Sequence, residues 1–120
     1  MNSMAHQDHG QLYIQFLRCS QAVQNIYKDN ALKPVDNHFL KEVVLRDFEG
    51  RAFSVSEALA LNHLGSPATL HKRLQRLRDA GLLSVRQEDK DQRTKYLIAT
   101  PLAIQYFERM GDAMQKAIHG

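Results

Sequence analysis

SPATLHKRLQRLRDAGLLSVRQEDKDQRTK, residues 66–95, is the stretch on which the fold turns. Ser66 is a good helix N-cap, and Pro67 suits the first helical position, where its missing N–H costs nothing. Leu70, Leu74 and Leu77 follow at steps of four and three, which places them on one face of a helix. Gly81 supplies the stop. Leu82, Leu83 and Val85 then open a strand, and Tyr96, Leu97 and Ile98 lie in its return partner. Arg86 to Lys95, between them, is charged or polar almost throughout. The stretch predicts a helix followed by a two-stranded ribbon with a charged tip.

Positive charge gathers in the same place. Lys72, Arg73, Arg76, Arg78, Arg86, Lys90, Arg93 and Lys95 face only Asp79, Glu88, Asp89 and Asp91, a local net of +4 in a chain whose whole net is +3. The remainder therefore carries about −1. A basic helix beside a basic ribbon is the electrostatic footprint expected of a surface that meets a phosphate backbone.

The chain of 120 residues is expected to form one domain with a real core, and 43% apolar with 24% charged residues is ordinary globular material. No run approaches 18 apolar residues, so no membrane span is expected. Residues 1–10 lack the apolar segment of a secretory signal and read as a disordered tail; their His6 and His9 either fray with it or hold a metal. A single cysteine, Cys19, leaves no disulfide framework and suits a cytoplasmic protein. There is no H-E-x-x-H, no phosphate-cradling glycine loop and no C-x-x-C, so no enzyme, metal or cofactor is expected.

Outside residues 66–95 the pattern is helical. Residues 11–28 carry Leu12, Phe16, Cys19, Val23 and Ile26 at steps of four and three, a narrow seam widened by Tyr13, Leu17 and Tyr27. Asp36 reads as the N-cap of a second helix reaching Phe48, with Phe39, Leu40, Val43, Val44 and Phe48 inward and Gly50 as its end. Residues 51–53 suit a short strand pairing with the ribbon. Ser54 and Glu57 form the S-x-x-E capping box of a short helix to about Leu61. Two short helices thus meet across a tight glycine-containing turn, Asn62 to Gly65, as in a helix-turn-helix. Thr100 and Pro101 open a last helix to about His119, with Ala103, Phe107, Met110, Met114 and Ala117 as a second seam, broadened by Tyr106 and Ile118.

The run from Phe53 to Thr100 resembles the winged helix-turn-helix of the MarR family of bacterial transcription regulators. The matching pieces are S-V-S-E-A-L-A (54–60), L-G-S-P-A-T-L-H-K-R-L-Q-R-L (64–77), A-G-L-L (80–83) and D-K-D-Q-R (89–93), the last with the diagnostic Asp91 and Arg93. Arg73 departs from the pattern, standing where the family usually has an apolar residue. The resemblance implies a mainly α fold with a small β-hairpin wing. Residues 11–120 would be a single winged-helix domain, with 51–99 as the winged helix-turn-helix and 11–28 and 101–119 as dimerisation helices. Leu12, Phe16, Cys19, Val23, Phe107, Met110 and Met114 are the residues expected at that two-fold seam; the alternative is that the seams pack within one chain. The resemblance further implies a homodimeric, sequence-specific regulator of transcription, a repressor, bound to near-palindromic double-stranded DNA.

With the leucines inward, Ala68, His71, Lys72 and Gln75 point outward and Thr69 lies near the first turn. Ser66 and Thr69 can donate to phosphate or base, Ala68 can touch a thymine methyl, His71 and Lys72 can donate to guanine, and Gln75 can pair with adenine. Arg73 and Arg76 flank the leucine face and suit phosphates, or else pair with Asp79 or Glu57. Ser54 and Ser56 can present hydroxyls to a phosphate. In the wing, Arg93 is expected in the minor groove, oriented by Asp91, with Lys90, Gln92 and Lys95 on the backbone. A small-molecule effector would find Tyr13, Phe16 and Phe39 as aromatic lining, although the same residues serve a core. Two other readings remain open: a winged-helix module that binds protein, and a sensor whose DNA binding is gated by ligand or metal.

Overall fold

Helix α4, Pro67–Asp79, is fixed at both ends by its own sequence. The Ser66 hydroxyl accepts the Thr69 N–H at 3.2 Å, and Gly81, at φ +77°, closes the other end: its N–H bonds to the Arg78 carbonyl, and the Leu82 N–H bonds to the Leu77 carbonyl. That pair of bonds satisfies carbonyls a helix end would otherwise leave bare. Leu70, Leu74 and Leu77 are buried, as the spacing predicts.

The computed structural model describes residues 9–26, 33–88 and 93–119. In chain order the elements are α1 (His9–Ile26), α2 (Pro34–Phe48), α3 (Val55–Leu59), a single 3-10 turn (Asn62–Leu64), α4, β1 (Leu83–Gln87), β2 (Lys95–Ala99) and α5 (Pro101–His119). The chain divides into two compact units, residues 31–104 and residues 1–30 with 105–120.

In the unit 31–104, α2, α3 and α4 pack with an antiparallel β1–β2 hairpin, in which Val85 faces Leu97 and Gln87 faces Lys95. The core is Phe39, Leu40, Val43, Ala58, Leu70, Leu77, Leu82 and Leu97, all fully buried. The third strand expected at 51–53 is reduced to one bridge between Ser54 and Tyr96 beside a bond from the Leu97 N–H to the Phe53 carbonyl at 2.8 Å. The capping box explains the shortening. The Ser54 N–H donates to Glu57 Oε1 at 2.8 Å and the Ser54 hydroxyl accepts the Glu57 N–H at 3.1 Å, so the chain turns into α3 before a ladder can form. That helix ends at Leu59, two residues before the expected limit.

Two expectations for α2 are corrected. The helix begins at Pro34, with Lys33 in the capping position and no side-chain cap; Asp36 lies inside the first turn, 1% exposed. Phe48 is 90% exposed. At about 100° per residue, the nine steps from Phe39 to Phe48 turn the helix by half a circle, so the two rings leave from opposite faces. Val44 is half-buried. Gly50, at φ +78°, ends the helix as expected. The Arg46 guanidinium lies 4.1 Å from the Phe53 ring and its Nε donates to the Arg51 carbonyl at 3.0 Å, which ties the loop after α2 back onto the helix.

The other unit comprises α1 and α5 beyond its first turn. Helix α1 starts at His9, so His9 and Gly10 are helical; the rest of the expected tail, with His6, lies outside the described residues, as does Tyr27. The buried positions of α1 are Ser20 and Val23, the Ser20 hydroxyl donating to the Leu17 carbonyl at 2.9 Å. Phe16 and Cys19 are half-buried, while Leu12 and Ile26 are exposed. In α5, Tyr106 and Ala113 are buried, Phe107 and Met110 are half-buried and Met114 is exposed. The most buried line of α5 therefore runs one residue ahead of the Phe107–Met114 seam.

Phe39→Ala should cost about 3–5 kcal/mol in urea-induced unfolding, whereas Phe48→Ala should stay within about 0.5 kcal/mol of the parent. Similar losses for the two variants would contradict the opposed faces of α2.

Candidate nucleic-acid interface

Burying the α4 leucines leaves Ala68, His71, Lys72 and Gln75 exposed along the opposite face. His71 and Lys72 have no hydrogen-bond or ion-pair partner among the described residues. Ser66 is exposed but locally committed, its hydroxyl also donating to Thr69 Oγ1 at 2.9 Å. The half-buried Thr69 keeps its own hydroxyl proton to donate outward. Gly65, at φ +149°, precedes this turn, and a Cβ there would stand 3.3 Å from the Thr69 methyl. Gln75 Nε2 donates to Asp79 Oδ1 at 3.1 Å, one turn on.

The two arginines flanking the leucine face turn toward the protein. Arg73, at the position where the resemblance expects an apolar residue, is half-buried and donates to the Leu64 carbonyl, capping the 3-10 turn. Arg76 forms a two-pronged pair with Asp36, Nε to Oδ2 at 3.0 Å and Nη2 to Oδ1 at 2.8 Å. That hydrogen-bonded carboxylate holds the Arg76 guanidinium even further above neutrality than usual. Neither Asp79 nor Glu57, the partners read from sequence, takes either arginine. Both guanidinium groups orient α4 from within the unit.

Beside α4, an open groove of about 430 Å³ runs between the start of α3 and the base of the hairpin. Ser54, Ser56, Arg78, Arg93, Thr94 and Lys95 line it over a floor of Val55 and Val85. Ser54, held as a cap, keeps a hydroxyl proton; Ser56, Arg93 and Lys95 are exposed. Arg78 was missed as a site residue by sequence reasoning. It lies on the last turn of α4, and only the inventory of partners sets it apart from its neighbours. Lys90, Asp91 and Gln92 lie outside the described residues.

Six of the described carboxylates of this unit are taken up elsewhere. Asp36 holds Arg76, Glu42 holds His63 Nε2 at 3.1 and 3.2 Å, and Asp47 accepts the Ala99 N–H at 2.9 Å. Glu49 pairs with Arg51, Glu57 closes the capping box and Asp79 holds Gln75. Of the described carboxylates between residues 33 and 88, Glu88 alone has no partner, whereas Lys72 and Arg78 on α4 and Lys95 at the hairpin base stand without one.

Among the described residues, no group of three or more His, Cys, Asp or Glu side chains is placed to hold a metal ion, and no helix is long and apolar enough to cross a membrane. Phe39 is fully buried in the core, while Tyr13 and Phe16 border an open apolar groove of about 350 Å³ with Leu12, Met114 and Ile118.

No protein-family model matches the sequence, and no curated protein matches it. Solved structures do. A transcriptional regulator from Thermotoga maritima aligns with 85% of this chain and 68% of its own, at 16% identity and a TM-score of 0.61. MepR of S. aureus, solved in complex with DNA, aligns with 90% of this chain and 86% of its own, at 12% identity and a TM-score of 0.61. A MarR protein from Peptoclostridium difficile aligns with 82% and 64%, at 24% identity and a TM-score of 0.52. The fold is the winged helix of the MarR regulators, mainly helical with one antiparallel hairpin.

Two stability measurements check the polar scaffold. Arg76→Ala should lower the urea midpoint more than Asp36→Ala, because it strands a buried carboxylate while the converse leaves a guanidinium that can reach water. The Ser54 N–H holds the Glu57 carboxyl below its ordinary value of 4.5. Its contribution to stability is therefore present above that value and lost as pH falls through the lowered one. The advantage of the parent over Glu57→Gln should shrink over that interval; a constant difference would exclude the charged capping box.

Proposed function

We propose that this protein binds double-stranded DNA as a sequence-specific transcription regulator, with α4 in the major groove and the hairpin against the adjacent backbone. The observation that carries this reading is the unpaired cationic face of α4 beside the groove at the hairpin base, in a unit where six of the seven described carboxylates are engaged elsewhere. Ala68, Thr69, His71 and Lys72 are the base-facing set, with Gln75 available when it releases Asp79. Ser56, Lys95 and Arg93 contact the backbone or minor groove, joined by Lys90 and Gln92 at the hairpin tip, where Asp91 orients Arg93. Arg73, Arg76 and the caps Ser54 and Ser66 act chiefly as scaffold.

The functional unit is a homodimer. Helix α1 exposes Leu12, Tyr13, Ile14 and Leu17, and α5 exposes Met114 and Ile118, in 18- and 19-residue helices that bury few side chains. A second copy covering these faces would add the half-buried Phe16, Cys19, Phe107 and Met110 to a two-fold core beside the already buried Val23. Two α4 helices about one duplex turn apart then match a near-palindromic operator, and occupancy of a promoter represses by occlusion. That solved MepR is held on DNA with the same fold supports this reading.

Selection from a random duplex pool should return a near-palindromic motif. Binding to it should weaken steeply with salt, and Lys72→Ala should cost about 1–3 kcal/mol in affinity. A flat salt response would favour a protein-binding module instead. In sedimentation, the chain should run as a dimer, and Tyr13→Glu combined with Met114→Glu should halve its mass; an unchanged mass would remove this interface.

A further inference from the structure

We infer that Arg78 is a phosphate anchor for the duplex: with Lys95 and Arg93 it forms a cationic trough, edged by the Ser54 and Ser56 hydroxyls, that holds the DNA backbone independently of base sequence. The inference rests on the DNA-binding reading above and names a contact that reading does not require.

Of the three arginines along the length of α4, two are used internally. Arg73 serves the Leu64 carbonyl and Arg76 serves Asp36. Arg78 has no hydrogen-bond or ion-pair partner among the described residues, and the adjacent Asp79 is tied to Gln75. Arg78 borders the Ser54–Lys95 groove on one side and a second open groove, with Ser84 and Gln75, on the other. Among the described residues, the first is lined by cations, hydroxyls and two valines and by no carboxylate. An anion beside Arg78 meets a guanidinium without a described partner, and its forked group can hold two phosphate oxygens at once.

Position along the helix separates this role from base reading. Arg78 lies nine residues beyond Thr69, about 14 Å along the axis, well past the first turn that meets base edges. A phosphate held there carries no sequence information, so loss of the contact must weaken all duplexes alike.

The test uses the full chain with its selected duplex and a scrambled duplex, titrated by fluorescence anisotropy across a salt series. Arg78→Ala should reduce the log–log salt slope by about 0.9 and lower affinity for both duplexes by the same factor. Arg78→Lys should retain most of the slope. Lys41→Ala, on the exposed side of α2, should leave it unchanged. A parental slope in a folded Arg78→Ala or Arg78→Gln protein overturns the anchor while the DNA-binding reading stands. Loss confined to the selected duplex also overturns it, by making Arg78 a base reader. A parent that binds neither duplex overturns both readings.

Discussion

Three leucines on one side of a thirteen-residue helix constrain everything around them. Once Leu70, Leu74 and Leu77 enter the core, the rotation of α4 about its axis is fixed, and His71 and Lys72 have to face water. Hydrophobic burial is non-directional, however, and leaves tilt and axial slide poorly defined. Those freedoms are removed by polar contacts. The two-pronged Arg76–Asp36 bond pins one side of α4 to α2, and Arg73 pins another to the turn that leads into it. An ion pair of this kind contributes less to net stability than to geometry, because desolvating Asp36 offsets much of the attraction. Its consequence is a helix presented at one fixed angle, as the proposed reading of base edges requires.

The same pairing logic shapes the electrostatics. A net charge of +3 spread over 120 residues would make little field. Folding concentrates it by assigning carboxylates to structural tasks: a helix contact at Asp36, a strand-end contact at Asp47, a capping box at Glu57. Arg78, Arg93 and Lys95 meet at the base of the hairpin beside α4. A positive face therefore arises as much from where acids are spent internally as from where lysines and arginines are placed.

What could be read from the sequence was local. Caps at Ser54, Ser66 and Thr100, stops at Gly50 and Gly81 and the leucine period of α4 each depend on neighbours within a turn or two, and the chain follows them. The misreadings share another cause. Asp36 has the chemistry of an N-cap, but its position was decided by an arginine 40 residues away. Phe48 has the chemistry of a core residue but falls half a turn from Phe39. Arg78 carries no local mark at all, since its significance lies in lacking a partner, and that requires knowing every other pair. Burial on α5 runs through Tyr106, not Phe107, because periodicity gives the width of an apolar stripe better than its centre.

Helix α1 carries that limit into the biology. Its 18 residues bury only Ser20 and Val23, and an isolated helix of this length is marginal in water. Its order must come from tertiary or quaternary packing of its apolar side. On the proposed dimer, that links helix stability to association, so protein concentration acts on folding and on DNA affinity together. The second recognition helix then arrives at the duplex already tethered, and its effective concentration, not any additional contact, makes two modest half-site affinities into one strong one. Weakening the α1–α5 faces would on this argument reduce operator binding without touching a single residue that meets DNA.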